Sequence, residues 1–243
     1  MVATPQVILP VAVLEGEVIP DTLIEFLSSV PVVLLGYDEI PEQTHADQAR
    51  EQFGEQASEE LQSLEEAFEA RDATVETKLV FTHEIAKAIQ QAVEETDRGV
   101  VCHPNPVQAV EHVLVEVRRP ELTPAIAATT AALVGPTNAT ITLLYAADEN
   151  EADKTGQHVL SGLSTTLEEA GISAQRISRV VERTDDPEAT MVDCAEAHDV
   201  VILGADEPSI LNWIFGAMSE KITEQTLSPV LVVQQPFKGN SDR

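Results

Sequence analysis

The chain has 243 residues, of which 43% are apolar, 42 are acidic and 14 are basic, giving a net charge of −28. This length and apolar fraction suffice for one large domain or two small ones. The charge disfavours nucleic acid and anionic lipid as partners, because both carry phosphates, and no apolar run approaches the length of a membrane span.

Strand-like and helix-like segments alternate from the N-terminus onward. The first half is predicted to contain, in chain order, strands at Gln6–Val13, Val30–Leu35, Val75–Phe81 and Gly99–Cys102, with helices at Asp21–Ser29, Thr44–Ala70 and Glu84–Glu95. In the long second helix, apolar residues recur at intervals of three and four, which gives one apolar stripe on an otherwise polar helix.

The second half repeats this order. Its predicted strands are Val113–Val117, Thr140–Tyr145, Ala174–Val181, Val200–Leu203 and Val230–Val233, and its predicted helices are Pro124–Val134, Ala152–Ala170, Pro187–Ala197 and Gly216–Gln225. Gly135-Pro136 is a normal helix stop. Asp185 or Asp186 is the predicted cap of the helix that begins with Pro187.

The shared order indicates an internal repeat of roughly 110 to 130 residues. Alternating strands and helices predict an α/β fold with two open, mostly parallel sheets and helices on both faces. The predicted domains are 1–108 and 109–243. Only about ten residues separate Cys102 from the next strand, which leaves no room for a fifth strand, so the first copy is predicted to be truncated.

Few residues suggest catalysis or metal binding. The six histidines lack metal-ligand spacing, and no Gly-x-Ser-x-Gly or His-Glu-x-x-His motif occurs. We therefore expect no enzyme and no metal site. His103 follows a strand at a position that faces ligands in such sheets. Cys102 and Cys194 are interpreted as reduced thiols of a cytosolic protein, with a disulfide as the alternative.

The final quarter of the chain carries the most specific pattern. Two short unbroken runs of β-branched and Leu residues, Val200–Leu203 and Val230–Val233, are typical of strands covered on both faces. Between them lie Gly204, Gly216 and the helix start Ser219–Ile222. This stretch resembles the end of a universal stress protein domain, in which a Gly-x-x-Gly pair and a later Gly-Ser/Thr hold nucleotide phosphates. The resemblance implies the adenine nucleotide alpha-hydrolase-like fold.

The same comparison singles out a degenerate nucleotide loop of Gly204, Gly216, Ala217 and Arg118 for ATP or AMP. Glu207 stands where the family has a second glycine, and the interval before Gly216 is one residue shorter. Ala217 replaces Ser or Thr. The Asp that ends the family's first strand is missing from both halves.

The chemistry of this loop argues against a triphosphate. Asp206 and Glu207 would repel it, and Pro208 removes a backbone donor. Arg118 and Arg119 are able to hold an anion by charge-assisted hydrogen bonds or to pair with Glu116 and Glu121. The sequence therefore predicts that no cofactor is bound, with ATP or AMP as the alternative.

The apolar part of the loop suggests protein contacts. Trp213 and Phe215 are either buried in the monomer or exposed as anchors for a partner. In the family the last strand commonly forms the dimer seam, and here it is predicted to be free for a second copy. We therefore expect a homodimer through the C-terminal strand and a further, unidentified protein partner.

The composition also indicates the salt conditions and the compartment in which the protein is expected to work. The acidic excess is spread along the chain, and Lys is scarce, with 5 residues against 9 Arg. This composition resembles the haloarchaeal type. In 1 M salt the Debye length is about 3 Å, so the self-repulsion of such a chain is screened. An acidic surface for a basic partner is the alternative. The N-terminus has no basic n-region and no cleavage site, so a cytoplasmic protein is expected.

Together these patterns predict a non-catalytic universal stress-type protein that acts through protein contacts or oligomerisation. Two alternatives stay open. One is a divergent adenine-nucleotide sensor or slow ATPase. The other is a regulatory subunit of a membrane transporter, because universal stress protein domains also occur attached to transporters.

Overall fold

A computed structural model of the chain describes residues 4–96, 99–117, 119–148, 153–204 and 228–234. Its first part contains the strands β1 (Gln6–Ala12), β2 (Val32–Glu39), β3 (Val75–Thr82) and β4 (Gly99–His103) and the helices α1 (Asp21–Leu27), α2 (Ala46–Glu69) and α3 (Ile85–Glu94). The predicted order of elements is confirmed there, and β2 extends further than the apolar run alone indicated.

The second part has the strands β5 (His112–Glu116), β6 (Thr140–Asp148), β7 (Ile177–Thr184), β8 (Val200–Gly204) and β9 (Val230–Val233) and the helices α4 (Thr123–Val134), α5 (Asp153–Glu169) and α6 (Pro187–Ala195). Asp186 is the cap of α6, since its Oδ1 accepts from Ala189 N–H at 3.0 Å. The predicted helix Gly216–Gln225 lies outside the described residues.

Within the described residues the nine strands form a single sheet in the order β3-β2-β1-β4-β9-β8-β5-β6-β7. The prediction of two separate sheets is therefore wrong. The two sets of parallel strands meet where β9 pairs antiparallel with β4, from Val100 against Val233 to His103 against Val230. On its other side β9 pairs parallel with β8.

This pairing corrects the expectation that the last strand is free for a second molecule. Both edges of β9 are used inside the chain, because β4 has no fifth strand of its own half beside it. All four residues of β9 are buried. A homodimer seam through this strand would first have to break one of its two ladders.

Helices cover both faces of the sheet, as predicted. On one face, α1, α2, α4 and α5 pack over residues such as Leu9, Leu34, Leu143 and Ile202. On the other, α3 and α6 cover a smaller cluster around Leu114. Burial of both faces explains why the central strands are continuous apolar runs.

Candidate functional site

The antiparallel junction sets where ligands have access. In open α/β sheets ligands bind beyond the carboxyl ends of parallel strands. Because β4 and β9 run in opposite directions, the carboxyl ends of β1–β4 and those of β5–β9 lie at opposite edges of the sheet. The molecule therefore presents two separate candidate edges.

At the second edge, Gly204 ends β8 in close contact with the helical layer. A Cβ built on it would lie 2.8 Å from Ile126 Cδ1 and 2.9 Å from Leu122 Cδ1. Its φ is not positive. A glycine is therefore favoured here because side chains of α4 and of the turn before it pack closely against this position, and this preference exists without any phosphate.

The other residues assigned to the nucleotide loop, Gly216, Ala217 and Arg118, lie outside the described residues, as do Trp213 and Phe215. Their roles stay predictions. The space on one side of Gly204 is filled by Leu122 and Ile126.

Next to these positions the structure shows a buried carboxylate. Glu116, the last residue of β5, is only 2% exposed, which was not predicted from the sequence. It has an interaction partner. Arg119 does pair with Glu121, at 3.7 Å on the surface, as one of the two alternatives predicted. A signal for Glu116 existed, since it continues the apolar β5 run between Val115 and Val117.

The first edge is electronegative. Glu17, in the loop after β1, accepts a hydrogen bond from Ala12 N–H at 2.8 Å. The pKa of the Glu17 carboxyl is raised overall. Partial burial is the largest cause, the hydrogen bond from Ala12 opposes it, and the charge of Glu15 adds to it. Burial and then the charges of Glu17, Glu15 and Glu39 raise the pKa of Tyr37, near the end of β2, to about 12.

The residues at the end of β4 belong to the same electronegative edge. Cys102 is fully buried, and desolvation, followed by the charge of Glu17, raises the pKa of its thiol. Burial lowers the pKa of the His103 imidazole, so the neutral form is favoured. Carboxylates that lie close to neutral Tyr, Cys and His side chains make this part of the edge unfavourable for a phosphate.

The same edge is tied to the start of β9. Asn105 Nδ2 donates to the Ser228 carbonyl at 3.0 Å, and Ser228 Oγ donates to the His198 carbonyl at 2.6 Å. His103 pairs with Val230 across the antiparallel ladder. The ligand-facing position predicted for His103 is thus beside a structural junction.

Three further properties of the described residues concern thiols, metal sites and membrane spans. Cys102 and Cys194 are both free thiols. Among the residues described, no group of three or more His, Cys, Asp or Glu side chains has the arrangement of a metal site. No helix in the described part of the chain has the length and apolar character needed to cross a bilayer.

Known structures share this architecture. The chain is similar to a universal stress protein from Archaeoglobus fulgidus DSM 4304, with a TM-score of 0.66, 14% identity, and coverage of 96% of this chain and 97% of that one. It is also similar to a functionally unknown protein from Pseudomonas aeruginosa PAO1, with a TM-score of 0.55, 13% identity, and coverage of 96% and 94%. No family model and no curated protein matches the sequence. The two structural similarities confirm the predicted α/β fold with a mostly parallel sheet and helices on both faces, although the strands form one sheet and not two.

Proposed function

We propose that this chain is a non-catalytic universal stress-type protein, built as a tandem with a truncated first copy, which acts through protein contacts and binds no ATP. The similarity in fold to the universal stress protein from Archaeoglobus fulgidus, over nearly the whole of both chains, carries the first part of this proposal. The strand orders β3-β2-β1-β4 and β7-β6-β5-β8-β9 support the tandem arrangement, since they match strand for strand up to β9.

The chemistry of the two edges supports the second part. The first edge carries Glu15, Glu17 and Glu39 around Tyr37, which would repel phosphates. At the second edge, Gly204 serves close packing against Leu122 and Ile126. A phosphate cradle needs backbone donors and positive charge instead.

Titration calorimetry with ATP and with AMP, in a buffer containing molar KCl, tests this proposal directly. We expect no saturable heat with either nucleotide. Stoichiometric binding with a dissociation constant in the micromolar range or below would overturn it and would favour the nucleotide sensor or slow ATPase. Replacing Gly204 is unsuitable as a control, because a larger residue there disturbs the packing beneath it.

The proposal also concerns the oligomeric state and the cellular compartment of the protein, and the alternative of a transporter partner. A homodimer would have to use a surface other than β9, since both edges of that strand are already paired; light scattering at several protein concentrations would detect it. The free thiols of Cys102 and Cys194 fit a reducing cytoplasm. A pull-down from solubilised membranes would recover a transporter if the regulatory-subunit alternative applies.

A further inference from the structure

A cavity of about 450 Å³ opens beside the loop that joins β1 to α1. It lies on the larger helical layer, between the end of β1, the start of α1 and the middle of α2. Its volume falls in the range of about 300–1,000 Å³ that is usual for small-molecule sites. Its lining includes no residue of β2, β4 or β8, and so not Gly204.

A large part of the cavity wall is apolar. Six of the residues that form them are Val11, Val13, Ile19, Ile24, Leu61 and Leu64. All six belong to the core cluster or pack against it, so the cavity floor is part of the folded core. At its mouth Val18 is 82% exposed, which leaves apolar surface in water where a ligand would cover it.

The rim is acidic and is not neutralised by the cavity's own residues. Glu17, Asp21 and Glu60 are among the residues that line the cavity, and none of its lining residues is basic. Asp21 is engaged by Arg71 from outside the cavity, at 2.7 Å. Glu17 uses its Oε2 for Ala12 N–H at 2.8 Å, and each oxygen of a carboxylate accepts more than one hydrogen bond. Glu17 and Glu60 are therefore available to a cationic group.

We propose that this cavity binds a small amphiphilic cation, with an apolar body against α1 and α2 and a protonated amine at the carboxylates of Glu17 and Glu60. A neutral apolar molecule would leave these carboxylates without a cationic partner, and an anion would be repelled by them. A charge-assisted hydrogen bond between ammonium and carboxylate supplies the preference. This inference goes beyond the proposed function and does not depend on it.

Three probes with one carbon skeleton separate the apolar and the charged contributions: 4-phenylbutylamine, 4-phenylbutanol and 4-phenylbutyrate. Binding to the full chain is measured by saturation-transfer NMR titration in molar KCl, where diffuse attraction to a protein of charge −28 is screened. We expect the amine to bind roughly tenfold more tightly than the alcohol, and the carboxylate to bind most weakly.

Variants then locate the site. Ala67→Leu fills the apolar part of the cavity and should abolish binding of amine and alcohol alike. Glu17→Gln should remove most of the amine's advantage and leave the alcohol unchanged. Glu59→Gln is the matched control, because Glu59 is an exposed residue of α2 that is not part of the cavity lining, and it should change nothing. If Ala67→Leu does not fold, Ser63→Leu blocks the same cavity.

Several results would overturn the proposal. One is equal affinity, or no binding, for all three probes. Another is amine binding that survives the cavity-filling variants. A third is an effect of Glu59→Gln as large as that of Glu17→Gln, which would indicate general attraction to an acidic protein.

Discussion

Gly204 ends β8 at a point where the helical layer packs closely against the sheet. Replacing it with Val should lower the free energy of unfolding by about 1–3 kcal/mol, as overpacking of a tight core does. The built Cβ already lies 2.8 Å from Ile126 and 2.9 Å from Leu122. Without that crowding the sign would reverse, because Gly in a strand costs roughly 0.5–1 kcal/mol relative to Ala.

Urea unfolding measured by circular dichroism tests this effect of Gly204→Val. Gly162→Ala is the control, because Gly162 lies in α5 with no atom within 4 Å of its built Cβ. It should raise stability by up to about 1 kcal/mol. A Gly204→Val variant as stable as the parent would contradict the packing role assigned to this glycine.

Tyr37 gives a test of the electronegative edge. Its pKa, raised to about 12 by burial and by the charges of Glu17, Glu15 and Glu39, lies above the value of about 10 for a tyrosine in an unfolded chain. The folded state therefore holds the phenol proton more tightly. The stability that this provides is complete below pH 10, and it falls as the pH rises from about 10 to about 12.

The absorbance of phenolate near 295 nm measures this titration of Tyr37. The chain has only two tyrosines, so the difference between parent and Tyr37→Phe isolates it. Glu17→Gln should lower the midpoint, since Glu17 is the foremost of the charges that raise it. A midpoint near 10 in the parent would contradict the assigned environment. Between pH 10 and 12 the parent should lose stability faster than Tyr37→Phe.

Among the elements, β9 holds the two sets of parallel strands together. Leu231→Ala should cost about 2–4 kcal/mol, as for other large-to-small core substitutions, because Leu231 is fully buried between Cys102 of β4 and Ile202 of β8. Leu79→Ala is the control, because Leu79 lies on the edge strand β3 and is half-buried. This substitution should lower the free energy of unfolding by less than half as much. Denaturant midpoints and slopes measure both variants, and equal losses would contradict the central role of β9.

The elements also show how far sequence reasoning extends. The alternating strands and helices, the apolar stripe of α2 and the cap at Asp186 follow from local patterns, and the structure has them. The antiparallel partner of β9 was not foreseen. Val230 and His103 are far apart along the chain, and an apolar run gives no information about which strand edge it will meet. Local pattern specifies the face of a strand, not its neighbour.

The candidate site, too, could be predicted only in part from the sequence. The missing glycines and the acidic residues of the loop were visible in the sequence, whereas the reason for Gly204 was not, because it depends on where α4 lies relative to β8. The burial of Glu116 was missed since a charged residue is normally exposed. The cavity near Glu17 is formed by residues from β1, α1 and α2, and no single stretch encodes it.

At the scale of the whole molecule, the net charge of −28 opposes the compact state through self-repulsion. Two like charges 10 Å apart in water without salt repel by about 0.4 kcal/mol. Over many such pairs the repulsion in the compact state is on the order of several kcal/mol. Described ion pairs such as Lys78–Glu95 and Arg71–Asp21 lie at the surface and contribute little net stability, so screening removes more repulsion than attraction.

We therefore expect the free energy of unfolding to rise with KCl and to level off near 1 M, where the Debye length is about 3 Å. Thermal unfolding from 0.1 to 3 M KCl measures this dependence. A variant with Glu51, Glu55, Glu59 and Glu69 replaced by Gln removes four exposed charges from α2 without touching the core. It should be more stable than the parent at low salt and no more stable at high salt, because only the screened repulsion differs between the two. If the parent's stability did not change with KCl, or if the variant kept its advantage at 3 M, charge repulsion would not be the controlling force, and an acidic surface for a basic partner would become the better explanation of the composition.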